Sequence, residues 1–171
     1  MEELSKLIRD IPDFPKEGII FKDITPLLAD KEGFSRAIEV LSEQYKGQKI
    51  DKIVSVESRG FVIGAPIALN LGAGLIIVRK PGKLPYKTVE ITYDLEYGSD
   101  TLMMHEDAIE PGEHVLIVDD VLATGGTAKA TVDLVTKLGG KVLGLAFLIE
   151  LTFLNGRDKL SGYELFAPLK Y

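Results

Sequence analysis

Asp119 and Asp120 follow directly on the apolar run Val115-Leu116-Ile117-Val118, and after two more residues comes Ala123-Thr124-Gly125-Gly126-Thr127. The run, rich in β-branched residues, reads as a strand buried on both faces of a parallel sheet. The acids then fall at its carboxyl end, where open α/β sheets bind ligands. Unpaired carboxylates are costly to keep in a core, which turns both toward a cleft. Beyond the turn, Ala128, Val132, Val135 and Leu138 recur at helical spacing, and Gly139-Gly140 stops the pattern. Gly125 and Gly126 let backbone N–H groups approach an oxyanion, while the first amides of the helix and its dipole favour negative charge. Thr124 and Thr127 add hydroxyl donors. A phosphate fits this turn, and the acid pair suits vicinal hydroxyls, either as direct acceptors or through Mg²⁺. Together they describe a sugar-phosphate site; the other reading of the same residues is ordinary strand-end punctuation. No Gly-Lys-Ser/Thr follows, so the turn is not a P-loop.

The chain that must hold these groups has 171 residues, one domain's worth and enough for a core. Its formal charge of −6 and pI near 5.0 give no long-range reason to expect nucleic acid or an anionic membrane as partner, so an anionic substrate needs local cations. The absence of cysteine excludes disulfides and thiolate metal sites. Met1 to Lys6 lacks the apolar stretch of a signal peptide, and no run reaches transmembrane length. These features predict a soluble, cytoplasmic protein with no nucleic acid and no membrane partner.

Leu4, Leu7 and Ile8 predict a short helix over residues 2–9. Ile11 to Pro26 mixes prolines, Gly18 and large apolar side chains, and reads either as a packed loop over the domain edge or as a lid over a planar apolar ligand. Phe34, Ile38, Leu41 and Tyr45 form one stripe of a helix from Glu32 to Tyr45. Ile50 to Val56 reads as a strand that passes through Glu57-Ser58-Arg59-Gly60 into a helix from Phe61 to Leu71, ended by Gly72. Arg59, in that strand-to-helix loop, either reaches the same end of the sheet as Asp119 or pairs with Glu57 on the surface. Leu75 to Val78 reads as another buried strand. Arg79, Lys80 and Lys83 after it are either a solvated turn or the local charge that the acidic chain otherwise lacks.

Thr88 to Tyr93 and Thr101 to His105 alternate in polarity, an antiparallel excursion with a mobile tip. Lys141 to Leu151 is a further central strand, and Tyr163 to Ala167 a final one after a helical or turn segment. Two strand-helix crossovers and a further strand predict an α/β sandwich with a mostly parallel sheet. His105 and His114 read as structural, and no His-rich or Glu-rich cluster argues for a permanently bound metal.

The order of apolar run, acid pair, small residues and Thr-Gly-Gly-Thr resembles the PRPP-binding signature of type I phosphoribosyltransferases. Asp13-Phe14-Pro15 and Phe21-Lys22-Asp23-Ile24-Thr25-Pro26 look like the base-holding hood of the adenine-specific branch. Glu57-Ser58-Arg59-Gly60-Phe61 is similar to its pyrophosphate loop, which often carries a non-proline cis peptide, and Arg79-Lys80-Pro81-Gly82-Lys83-Leu84-Pro85 matches its cationic turn. The resemblance runs from Ile11 to about Leu160. It implies one domain over residues 1–171, a three-layer α/β sandwich with a mostly parallel central sheet, a hood within residues 1–30 and a flexible catalytic loop region at 80–105. Glu17 departs from it, standing where many relatives have a proline, which touches the stiffness of the hood.

The implied reaction is purine salvage: the 5-phosphoribosyl group passes from PRPP to adenine, giving AMP and pyrophosphate, with Mg²⁺ accompanying PRPP and no protein ligand to the metal assigned. Carried onto this sequence, Asp119, Asp120, Ala123, Thr124, Gly125, Gly126 and Thr127 bind the ribose and 5′-phosphate. Ser58, Arg59, Arg79, Lys80 and Lys83 take the pyrophosphate. Ile20, Phe21 and Lys22 hold the base from the hood, with Val121 on its other face. Glu96 is the proton-transfer residue, with Tyr97 beside the reaction centre and Arg59 as a further catalytic group. A homodimer is implied, with Arg79 reaching pyrophosphate bound by the partner chain. Two rivals share the PRPP site: a PRPP-sensing regulator, which needs a DNA-binding segment, and a transferase for a 6-oxopurine or orotate, which differs in the hood.

Overall fold

The computed structural model describes residues 1–94 and 98–171, in two units, Met1–Val40 and Leu41–Tyr171. In the first, α1 (Glu2–Ser5) is shorter than the helix expected over residues 2–9. The segment after it is taken up by β1 (Arg9–Pro12), which pairs antiparallel with β2 (Ile20–Asp23), from Arg9 opposite Asp23 to Pro12 opposite Ile20. The stretch read as a loop or lid is thus a β-hairpin. Its connection closes on itself: Asp13 adopts a φ of 56° and its carboxylate accepts the Gly18 N–H at 2.8 Å, while the Phe14 N–H donates to the Ile19 carbonyl at 3.2 Å. At the far end of β2, the Asp23 carboxylate accepts the Thr25 N–H (2.9 Å) and hydroxyl (2.8 Å), which starts α2 (Thr25–Ala29). Then α3 (Lys31–Glu43) buries Ala37, Ile38 and Leu41 along the expected stripe.

The second unit runs β3 (Lys52–Val56), α4 (Arg59–Leu71), β4 (Gly74–Val78), β5 (Thr88–Asp94), β6 (Ser99–His105), β7 (His114–Leu122), α5 (Gly126–Lys137), β8 (Lys141–Glu150), β9 (Glu164–Phe166) and β10 (Leu169–Lys170). A six-stranded sheet has the order β10-β8-β7-β3-β4, with β9 also paired to β8, and each of these pairs is parallel. Val54, Ile117, Leu145 and Phe147 cluster with Ala128, Val132 and Val135 of α5 on one face. On the other lies α4, so close that a Cβ on Gly64 would stand 1.9 Å from the Ser55 hydroxyl. This is the three-layer α/β sandwich. Each large apolar side chain fully withdrawn from water contributes about 1.5–3 kcal/mol, which is why the runs in β7 and β8, covered on both faces, dictate the architecture.

The antiparallel β5–β6 hairpin stands beside this sheet and is tied to its edge by two backbone hydrogen bonds between Arg79 and Met103, of 3.0 and 2.8 Å. The second unit departs from expectation at three places and adds one strand. β4 is the edge strand rather than a buried one: among the described residues no sheet strand lies beyond it, and Leu75 and Ile77 remain 37% and 38% exposed. β7 does not stop at the acids but continues to Leu122, with Asp119 opposite Phe147 and Val121 opposite Ile149; the backbone ladder persists because both carboxylates find partners. Arg59 is the first residue of α4 and not a loop residue. β10, only two residues long, carries no sequence pattern and was not foreseen.

Candidate active site

The carboxyl ends of β4, β3 and β7 lie side by side, and each delivers charge. Asp120, 5% exposed, accepts a hydrogen bond from Nε of Arg59, the residue that opens α4. Oδ1 of Asp119 accepts the Asp120 N–H at 2.9 Å. A Cβ on Gly60 would stand 2.6 Å from that same oxygen, so only glycine lets α4 approach the acid pair this closely. Burial and then the neighbouring Asp120 carboxylate push the Asp119 carboxyl well above the ordinary range, against the opposing pull of the Asp120 amide and Arg59.

Immediately after β7, the turn enters α5 through Gly125, with a φ of +79° and no side-chain cap on the helix. The first amides of α5 are therefore left by the protein's own side chains for an anion. Thr124 is exposed at the turn and Thr127 sits in the first turn of the helix. The helix α4 likewise begins without a side-chain cap, from Ser58, and the Glu57–Ser58 peptide is cis.

Glu57 organises the cationic turn after β4. Its carboxylate accepts the Lys80 N–H at 2.5 Å and a hydrogen bond from Nζ of Lys83, and Nη2 of Arg79 lies 3.6 Å away. Burial raises this carboxyl, but the hydrogen bonds from Lys83 and the Lys80 amide, with the Arg79 charge, hold it below the usual carboxylate range. Lys80 itself is paired with Asp100 of β6 at 2.8 Å. Arg79, Lys80 and Lys83 are thus gathered by Glu57 and Asp100, while Arg59 pairs with Asp120, three carboxylates to four cations.

The β5–β6 hairpin also reaches the glycine turn. The Tyr93 hydroxyl lies 3.1 Å from Oγ1 of Thr127, and its ring edge would meet a Cβ on Gly126 at 3.3 Å. Glu96 and Tyr97 fall outside the described residues. On β2, Ile20 is 53% exposed, the Phe21 ring packs edge-on against Phe14 with centroids 5.3 Å apart, and Nζ of Lys22 is bound to Asp10 at 2.6 Å. Val121 lies on β7, partly exposed.

Glu57, Tyr93, Asp100 and Gly156 were not singled out as functional from the sequence. Glu57 stands at a strand end in the sequence, but its cationic partners lie 23 and 26 residues away. For Gly156 no local signal exists: a Cβ there would stand 2.2 Å from the Ala123 carbonyl oxygen and 3.0 Å from the Gly125 nitrogen, so it backs the glycine turn from a distant part of the chain. Arg157 next to it is clamped on both oxygens of Glu150, which is 4% exposed, at 2.6 and 2.9 Å.

The model of the phosphoribosyl transferase domain matches residues 24–165. The adenine phosphoribosyltransferase of Geotalea daltonii is 60% identical over 171 residues, covering 100% of both chains. The crystal structure of adenine phosphoribosyltransferase from Thermoanaerobacter pseudethanolicus superposes with a TM-score of 0.97 at 54% identity, covering 99% of each chain. That from Saccharomyces cerevisiae, complexed with D-2,5-dideoxy-2,5-imino-altritol 1,6-bisphosphate and adenine, gives 0.91 at 43% identity over 97% of this chain and 96% of that one. With that likeness along its whole length, and with an acid pair and a glycine turn at the carboxyl end of one strand, this chain belongs to the phosphoribosyl transferase domain family and, within it, to the adenine phosphoribosyltransferases.

Proposed function

We propose that the chain transfers the 5-phosphoribosyl group of PRPP to adenine, forming AMP and releasing pyrophosphate in purine salvage. The observation that carries this reading is the junction after β7, where the acid pair adjoins an uncapped helix N-terminus and meets Arg59. In the reaction the bond from the anomeric carbon to pyrophosphate breaks as that carbon bonds to N9 of adenine, and the base sheds the N9 proton. The sugar becomes cation-like on the way, so the protein's work is to fix the ribose, hold the departing charge and take the proton.

Asp119 and Asp120 are suited to the ribose hydroxyls. Ala123 to Thr127, with the first amides of α5, are suited to the 5′-phosphate. Ser58, Arg59, Arg79, Lys80 and Lys83 take the pyrophosphate. Because the four cations are paired with three carboxylates, Asp120, Glu57 and Asp100, the site holds little surplus positive charge for a pyrophosphate. Mg²⁺ carried on PRPP would supply it and shield the leaving group. No protein ligand to the metal is assigned; on the family resemblance the ion is held mainly by substrate oxygens, with Asp119 and Asp120 nearby. Glu96 is assigned the proton and Tyr97 the flank of the reaction centre, on the family resemblance.

On the family resemblance, Ile20, Phe21 and Lys22 are assigned to the base, with main-chain groups at Phe21 or Lys22 reading its edge, and Val121 is assigned to its other face. Adenine presents an amine donor beside a ring acceptor, and a 6-oxopurine presents the reverse, so a site that hydrogen-bonds one leaves its polar groups unpaired with the other. Such mismatches are worth on the order of 10⁴-fold. With PRPP and Mg²⁺, a panel of bases is expected to give AMP from adenine and little product from hypoxanthine, guanine or orotate. Equal turnover of hypoxanthine removes the adenine assignment, and PRPP binding without turnover of any base favours a regulator.

A homodimer is part of the proposal. Val62 and Leu69 on α4 are 42% and 84% exposed, and with Leu75 and Ile77 on β4 they leave apolar surface on neighbouring elements. Arg79, whose Nε lacks a partner among the described residues, is assigned to pyrophosphate held by the partner chain. A cytoplasmic location is part of the proposal, on the family resemblance; no helix among the described residues is long and apolar enough to cross a membrane.

A further inference from the structure

We infer that Tyr93 and Asp100 form a yoke that fixes the distance between the two anion subsites, making Tyr93 a positioning residue for PRPP although it touches neither reacting atom. The inference rests on the assignment of the glycine turn to the 5′-phosphate and of the cationic turn to the pyrophosphate. Tyr93 and Asp100 are directly opposite each other in the β5–β6 register. Side chains so paired are close enough to act together. They face different partners: Tyr93 bonds Thr127 in the first turn of α5 at 3.1 Å and lays its ring on Gly126, while Asp100 bonds Nζ of Lys80 at 2.8 Å.

The hairpin is held elsewhere as well. On the cationic side, Arg79 and Met103 exchange two backbone hydrogen bonds; along α5, Nζ of Lys137 in its last turn donates to the Glu90 carbonyl at 3.2 Å. The Lys80 ammonium, and to a lesser degree the Tyr93 hydroxyl, hold the Asp100 carboxyl below its usual range, so the pair stays charged and engaged near neutral pH. The hairpin therefore spans from one subsite to the other as a strut. The Tyr93 hydroxyl ties it to the glycine turn through Oγ1 of Thr127.

PRPP has both anionic groups on one molecule and gains from two subsites only when their spacing matches its own, whereas ribose 5-phosphate and pyrophosphate each need one. Tyr93→Phe keeps the ring on Gly126 and deletes the hydroxyl. On the full chain, calorimetric titration is expected to show PRPP with Mg²⁺ bound about 5- to 10-fold more weakly, the worth of one hydrogen bond. Ribose 5-phosphate and pyrophosphate with Mg²⁺ stay within about 2-fold of wild type, and kcat at saturating PRPP changes little while KM for PRPP rises. Asp100→Asn, which weakens the other end, reproduces the same contrast of whole ligand against fragments. Unchanged PRPP affinity in Tyr93→Phe overturns the inference. So does an equal loss for ribose 5-phosphate, which would make Tyr93 a local support of the phosphate turn alone. If the wild-type chain binds neither fragment, the subsite assignment itself fails and the yoke fails with it.

Discussion

Gly156→Ala tests how the glycine turn is held. The added methyl would stand 2.2 Å from the Ala123 carbonyl oxygen, 3.0 Å from the Gly125 nitrogen and 3.2 Å from the Ala123 carbonyl carbon. The first of these is roughly 1 Å or more inside any tolerable contact. All three neighbours are backbone atoms, so no side-chain rotation relieves the clash. Gly156 does not have a positive φ, so alanine meets no conformational penalty of its own there, which leaves the collision as the sole perturbation. Its own segment cannot retreat easily, because Arg157 is held on both oxygens of the buried Glu150. The turn must move instead, by about 1 Å, and a displacement of that size at a binding group costs on the order of 10²-fold. Steady-state kinetics is expected to show kcat/KM for PRPP falling by about that factor, with KM for adenine nearly unchanged and the circular dichroism spectrum preserved. Wild-type kinetics for PRPP in a folded variant would refute the argument that Gly156 sets the turn. A uniform loss for both substrates would refute its specificity.

Asp119→Asn is expected to raise the thermal unfolding temperature of the ligand-free chain at neutral pH while weakening PRPP binding. The Asp119 carboxyl is held above its ordinary range, so between the ordinary aspartate value of about 3.9 and the raised one the folded chain binds a proton that the unfolded chain has shed; stability falls as pH rises through that window, and the amide removes the slope. Thermal melts of both proteins across pH 4 to 8 check it, and a lower unfolding temperature for the variant at neutral pH would contradict it. For the dimer, Arg79→Ala and Asp120→Asn are each expected to be inactive, and co-expression with separate tags should yield a mixed dimer in which one site carries both defects and the other neither, so that activity returns. An inactive mixed dimer, or a chain that sediments as a monomer, sinks the cross-subunit role of Arg79.

The sequence made the second unit largely readable because its strands are long apolar runs covered on both faces and its helices end at glycines such as Gly72. The acid pair, the glycine turn and Arg59 were legible for the same reason: each stands next to an element whose direction was already known. What escaped were features set by partners distant in the chain. The β1–β2 hairpin depends on pairing across Asp13 to Ile19, which prolines disguise as a loop. The edge position of β4 depends on which strands are absent beside it, and composition carries no trace of that. Glu57 takes its role from residues 23 and 26 positions away, and Gly156 from a backbone contact with Ala123 and Gly125.

The strand order also runs with the chain. β3, α4 and β4 are contiguous in sequence; β7 lies on the free side of β3, β8 beside β7, and β10 beside β8. Outward from β3 on that side, the sheet therefore grows in the direction of synthesis, and each incoming strand finds its neighbour already in place. Arg59 is among the parts finished early, carried at the head of α4. Assembly in chain order would therefore bring Asp120, 5% exposed in the folded chain, out of water against a guanidinium already made, which spares a buried carboxylate the cost of standing unpaired.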